Sequence, residues 1–99
     1  MLIPTLTRGV TLSIDEREQA FLDLLDANYN WPAEYMFKFI ANPTNIRQLE
    51  DVFKGETIEQ KPSRTRKYIS VTIRVTAHSS KEVMDYYHQV KVIDGIISL

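Results

Sequence analysis

Cysteine is absent from this 99-residue chain. No disulfide, thiolate metal site or cysteine nucleophile is therefore open to it. Glycine is nearly as scarce, with 3 residues at Gly9, Gly55 and Gly95, and scattered glycines build no phosphate-cradling loop. Neither sign of charge is in excess, the formal net charge being −1. Proteins that grip a nucleic-acid backbone carry a clear surplus of Lys and Arg, so no nucleic-acid partner is expected. No apolar run approaches the roughly 20 residues that cross a bilayer. The opening residues carry Arg8 but no long apolar core and do not read as a signal peptide. A cytoplasmic protein with no membrane partner is the expectation.

What is present is enough for one core. Hydrophobic residues make up 43% and charged residues 25%, the balance of a folded globular domain, and the length suits one domain rather than two. Residues 1–12, with Pro4, Thr5, Thr7, Gly9 and Thr11, show no period and read as an arm. Residues 13–99 read as the domain, opened by a leading helix over residues 13–29.

That helix starts on Ser13-Ile14-Asp15-Glu16, a capping box with acids in the first turn. Phe21, Leu24 and Leu25 follow at helical spacing, and Trp31-Pro32 ends it. Residues 34–41 alternate, with Tyr35, Phe37 and Phe39 on one side and Met36, Lys38 and Ile40 on the other, a strand pattern. Asn42-Pro43-Thr44-Asn45 supplies capping residues for a second helix with Ile46, Leu49, Val52 and Phe53 inward and Gly55 as its stop. Residues 57–61 form a short strand that Pro62 assigns to a sheet edge. Residues 67–77 form the clearest strand, with Ile69, Val71, Ile73, Val75 and Ala77 on one face and Tyr68, Ser70, Thr72, Arg74 and Thr76 on the other. Ser79-Ser80-Lys81-Glu82 is a second capping box, opening a helix with Val83, Tyr86 or Tyr87, and Val90 inward. Residues 95–99 close the chain as a strand. After the leading helix the order is β-α-β-β-α-β. The expected fold class is α+β, a ferredoxin-like βαββαβ two-layer sandwich: a four-stranded antiparallel sheet with the first and third strands central, and two helices on one face.

The stretch Trp31-Pro32-Ala33-Glu34-Tyr35-Met36-Phe37-Lys38-Phe39-Ile40 resembles the first strand of the YbeD-like proteins, small bacterial domains of unknown function. Lys61-Pro62-Ser63 with Lys67-Tyr68-Ile69-Ser70-Val71-Thr72 is similar to that family's second hairpin, and Ile93-Asp94-Gly95-Ile96-Ile97-Ser98-Leu99 to its closing strand. The resemblance implies a ferredoxin-like fold related to the ligand-binding ACT domains, and no established activity. Arg66 stands where family members often have glycine in the hairpin turn. The loop Asn42-Pro43-Thr44-Asn45 lacks the glycine that amino-acid-binding ACT domains commonly use there.

Three constellations carry chemistry worth naming. The first is the sheet face away from the helices, where Lys38 and Arg74 stand near Tyr68, Ser70 and Thr72 and suit an anionic ligand; Glu59 or Glu34 would neutralise them as surface ion pairs. The second is the basic hairpin Lys61, Arg64, Arg66 and Lys67, fit for an acidic surface or for guarding an edge strand. The third is Asp85 with His88, one helical turn apart; zinc takes three or four protein ligands, so no metal and no cofactor is expected. The third strand departs from the RNA-recognition pattern at Ser70, where a base-stacking ring is needed. No serine has an evident His and Asp partner. Glu16, Glu18, Asp23 and Asp26 read as a solvated helix face.

The expectation is therefore a non-enzymatic regulatory or adaptor domain acting through protein contact, as a homodimer or with another protein. Its candidate interaction surface is Met36, Ile40, Arg64, Arg66 and Lys67. The alternative is an ACT-like sensor holding a small anionic metabolite at Lys38, Tyr68 and Arg74, on the open sheet face or at a dimer interface.

Overall fold

The structure is a computed structural model and describes residues 14–99; the arm over residues 1–12 and the Ser13 capping box lie outside them. The elements are α1 (Ile14–Asn28), β1 (Ala33–Ala41), α2 (Ile46–Val52), β2 (Thr57–Pro62), β3 (Ile69–Ala77), α3 (Ser80–Lys91) and β4 (Ile97–Ser98). The four strands form one sheet in the order β2-β3-β1-β4. Every neighbouring pair is antiparallel. The described residues are thus an α+β arrangement of three helices and a four-stranded antiparallel sheet.

β1 and β3 pair along nine residues, from Ala33 opposite Ala77 to Ala41 opposite Ile69. Their alternation decides the two faces. Phe37, Phe39, Val71, Ile73 and Val75 are buried, while Met36, Lys38, Ser70 and Thr76 are exposed. Leu25 of α1, Leu49 of α2 with Phe53 just beyond it, and Val83 and Val90 of α3 join the same buried cluster. All three helices therefore lie on one side. Phe37, wholly buried, has rings of Tyr35, Phe39, Phe53, Tyr86 and Tyr87 around it at centroid distances of 4.8–6.0 Å.

Side-chain hydrogen bonds fix the connections. The Ser79 Oγ accepts from the Glu82 N–H at 3.1 Å, the capping bond that the sequence signals, and the Glu82 carboxylate reaches one residue past the cap to accept from the His78 N–H at 2.7 Å. Asn42 and Asn45 brace the β1–α2 loop through each other: the Asn42 Oδ1 accepts from the Asn45 N–H at 2.9 Å and the Asn45 Oδ1 from the Asn42 N–H at 2.8 Å. The buried Asn45 then donates to the Asp94 carbonyl at 3.0 Å, tying this loop to the turn before β4. Gly95 has φ +84 there, and an added Cβ would stand 3.1 Å from the Asn45 Nδ2, so both backbone angle and space favour glycine. Arg66 adopts φ 62 in the β2–β3 hairpin, the left-handed geometry that glycine would adopt at no cost.

Some details depart from the sequence reading. β4 pairs over only two residues, Phe39 opposite Ser98 and Ile40 opposite Ile97. Met84 is buried beside Val83, and Tyr86 and Tyr87 are both half-buried. Phe37→Ala should cost about 3–5 kcal/mol of folding stability, because it removes a wholly buried ring that five others pack against. Urea denaturation measures this, and a loss below ~1 kcal/mol would contradict the central place given to Phe37.

Candidate functional site

Two surfaces stand out: the sheet face away from the helices, and a trough between α1, α3 and the outer edge of β1. The register lays out the face. Met36 is opposite Arg74, Lys38 opposite Thr72, and Ile40 opposite Ser70. On β2, Thr57, Glu59 and Lys61 face Arg74, Thr72 and Ser70. On the other side Ile97 is opposite Ile40, and the Leu99 N–H donates to the Lys38 carbonyl at 2.9 Å. The face is therefore divided, with polar side chains over β2 and β3 and, over β1 and β4, the apolar Met36, Ile40 and Ile97 interleaved with the charged Glu34 and Lys38. Met36, Ile97 and Leu99 are 45%, 54% and 71% exposed.

The two candidate cations differ. Arg74 pairs with Glu59 at 3.2 Å, the neutralising arrangement weighed above. Both groups are solvent-exposed, so the pair adds little stability. Lys38 has no ion-pair partner among the described residues and is flanked by Met36, Ile40 and the Ile97–Leu99 end. A long lysine stem lies readily along apolar neighbours with its ammonium in water. Tyr68 does not join these cations. It sits at the hairpin base, its carbonyl taking the Ser63 N–H at 2.8 Å, six residues from Arg74, or roughly 20 Å at strand rise. Arg64, Arg66 and Lys67 belong to the same exposed hairpin beyond the Ile40 end of the sheet. They do not form one patch with Met36.

The leading helix does not cover the open face. It lies instead beside α3 on the core side: the Phe21 ring meets Tyr87 edge-on at 5.8 Å, and the Glu18 Oε1 stands 2.9 Å from the His88 Nε2. His88 thus faces a carboxylate of α1 rather than forming a metal pair with Asp85, and no group of three or more metal-ligating side chains occurs among the described residues. Asp26 accepts from the Trp31 Nε1 at 2.9 Å, so the acidic face of α1 is partly engaged.

Between α1, α3 and β1 the structure leaves two shallow cavities that meet at Tyr35. One of about 440 Å³ is lined by Phe21, Tyr35, Met84 and Tyr87, with Arg17 and Glu18 of α1 and with Ser98 and Leu99, so Leu99 also reaches this trough. The other, about 520 Å³, runs along Phe21, Leu24, Leu25 and Tyr29. The first of them contains both members of the Tyr35–Tyr87 hydroxyl pair, 3.0 Å apart. Burial, reinforced by that hydrogen bond, raises the Tyr87 pKa above its ordinary value. Burial and the nearby Glu56 and Glu82 carboxylates raise that of Tyr86. Two neutral phenols supply hydrogen bonds rather than a base.

Sequence reasoning missed this trough, because it joins residues as far apart as Phe21 and Tyr87. It also missed Ile97 and Leu99 as parts of the open face, although their period-2 spacing carried the signal. A raised phenol pKa means that the unfolded chain ionises first, near pH 10. Stability is then full below that pH and falls as pH rises through the alkaline range. Thermal melts in that range should show a shallower fall for Tyr87→Phe than for the parent chain, and equal slopes would contradict the assignment.

No curated protein and no solved structure shows a significant match to this chain. One sequence family does, over residues 26–99, which takes in every strand, α2 and α3 and leaves out nearly all of α1. The chain belongs to the family described as protein of unknown function, DUF493.

Proposed function

We infer that this chain is a non-enzymatic regulatory or adaptor domain that works by protein contact through its open sheet face. The observation that carries this reading is the apolar set Met36, Ile40 and Ile97, extended by Leu99 bonded to the Lys38 carbonyl, around the ammonium of Lys38, which has no ion-pair partner among the described residues. Exposed apolar side chains grouped on one face mark contact sites more often than isolated ones do. The partner that fits is a protein surface offering apolar side chains around an acidic group. A ferredoxin-like assignment accords with this reading: β1 and β3 are central and adjacent, and the β-α-β-β-α-β order follows α1. Such a sheet presents one uncovered face.

The test is affinity capture from the native cell with the full chain, alongside the Ile97→Asp/Leu99→Asp variant. Both positions are exposed, so the variant should melt like the parent. A protein held by the parent and about tenfold or more depleted with the variant supports the reading, as expected for loss of an apolar anchor. Equal capture by both overturns it.

The unpartnered Lys38 favours one further reading, an ACT-like sensor of a small anionic metabolite. Here a panel of anionic metabolites should raise the melting temperature of the parent chain and not that of Lys38→Ala. Absence of any shift in the parent removes this reading.

A further inference from the structure

The two margins of the sheet are treated differently. β2 ends in Lys61 and Pro62, residues that discourage edge pairing. On the other margin β4 covers β1 only at Phe39 and Ile40, with one more bond from Leu99 to the Lys38 carbonyl. The N–H and C=O of one strand residue point to the same side, and successive residues alternate. Since Lys38 points its carbonyl outward, so do Met36 and Glu34. Their outward N–H and C=O groups have no ladder partner among the described residues. This stretch carries no proline and no bulge, and it borders the trough beside Tyr35.

We propose that the free edge of β1 pairs with the same edge of a second copy of this chain, antiparallel about a two-fold axis at Tyr35. This specifies one partner for the protein-contact reading and rests on it. In that register Glu34 lies opposite Met36 of the second copy, and Met36 opposite its Glu34. Each pair exchanges two backbone hydrogen bonds, so four unpaired donors and four unpaired acceptors are satisfied together. A register centred on Met36 would need the Lys38 carbonyl, which Leu99 already occupies.

The charges fit this register. Glu34 and Lys38 are exposed, and neither has an ion-pair partner among the described residues. In the dimer, Glu34 is opposite Met36 and diagonal to Lys38, two residues further along the second copy. The sheet already contains this relation: Glu59 is opposite Thr72 and pairs with Arg74, two residues further on, at 3.2 Å. Strand twist of one hand shortens the same diagonal at every hydrogen-bonded pair. It draws Glu34 towards Lys38 of the second copy and holds the two Glu34 carboxylates apart. Met36 meets its own equivalent on the matching diagonal, and the trough beside Tyr35 with the exposed Leu24 on its wall lies against the axis.

Light scattering after size exclusion, over a dilution series of the full chain, reads the outcome. The parent should show twice the 11.5 kDa chain mass. Glu34→Lys and Lys38→Glu should each weaken the dimer by about tenfold or more, since each sets like charges together twice. The double variant Glu34→Lys/Lys38→Glu should regain the parent's dimer. These side chains are exposed, so circular dichroism should find all four proteins folded. A parent that stays monomeric at its highest concentration, single reversals without effect, or a double variant as weak as the singles would each overturn the proposal. A monomeric parent that still captures a protein through Ile97 and Leu99 would sink this dimer and leave the broader reading standing. A dimer with the expected charge pattern and no such capture would leave this pairing standing and overturn only the contact through the open sheet face.

Discussion

The nine-residue pairing of β1 with β3 is the constraint from which the rest of the structure follows. It sets the odd residues of both strands against the helices and the even ones against solvent, and one step of slip would reverse every side chain. Phe37 stands in the middle of this pairing, opposite Ile73, and receives rings from β1, α3 and the end of α2. Aromatic contacts of this kind add about 0.5–1.5 kcal/mol each beyond the area they bury. The register is therefore held by a cluster that cannot form in the slipped alignment, where Met36, Lys38 and Ile40 would replace Tyr35, Phe37 and Phe39.

The same cluster explains why α1 joins the helix layer. Phe21 meets Tyr87 and Tyr29 meets Tyr35, at the margin of the aromatic group, and Leu25 joins the buried cluster. The outer sheet face offers nothing equivalent. Over β2 and β3 it presents Glu59, Lys61, Thr72 and Arg74, whose polar groups a covering helix would have to desolvate. Its apolar residues, Met36, Ile40 and Ile97, make a narrow strip over β1 and β4 that Glu34 and Lys38 interrupt. A helix with one apolar stripe is better buried against rings than against that strip. The result is a domain with three helices on one side and a divided, uncovered surface on the other.

The parts legible in the sequence are those set by local chemistry. Strict alternation gave β3 and the two faces of β1; Ser79 with Glu82 marked the start of α3; Pro62 placed β2 at a margin. Parts set by long-range packing were not legible. The stripe of Phe21, Leu24 and Leu25 says that α1 is covered on one side, but not by which surface. Tyr86 and Tyr87 are adjacent and both amphipathic, so spacing alone cannot say which is inward; each proves half-buried, one stacked on Phe53 at 4.7 Å and the other hydrogen-bonded to Tyr35. Lys38 and Arg74 fall on one face as the alternation implies, whereas Tyr68 precedes β3 at the hairpin base, where its carbonyl meets the Ser63 N–H.

The face and the margin are not independent surfaces. Lys38 belongs to both: its side chain stands in the apolar strip, and its carbonyl is the last on the outer edge of β1 to meet β4. A single ammonium satisfies one carboxylate well and two poorly, because the second must give up its water without a full opposite charge. A partner that brings an acidic group to the strip therefore competes with Glu34 of a second copy for the same lysine. Apolar contact would act in the opposite sense, since pairing at β1 sets two Met36 side chains together and widens the strip a partner can cover. Which effect prevails depends on charge, the only one of the two that salt screens within about 10 Å at 0.1 M. Competition through Lys38 should thus fade as ionic strength rises, while the cooperative apolar contribution persists.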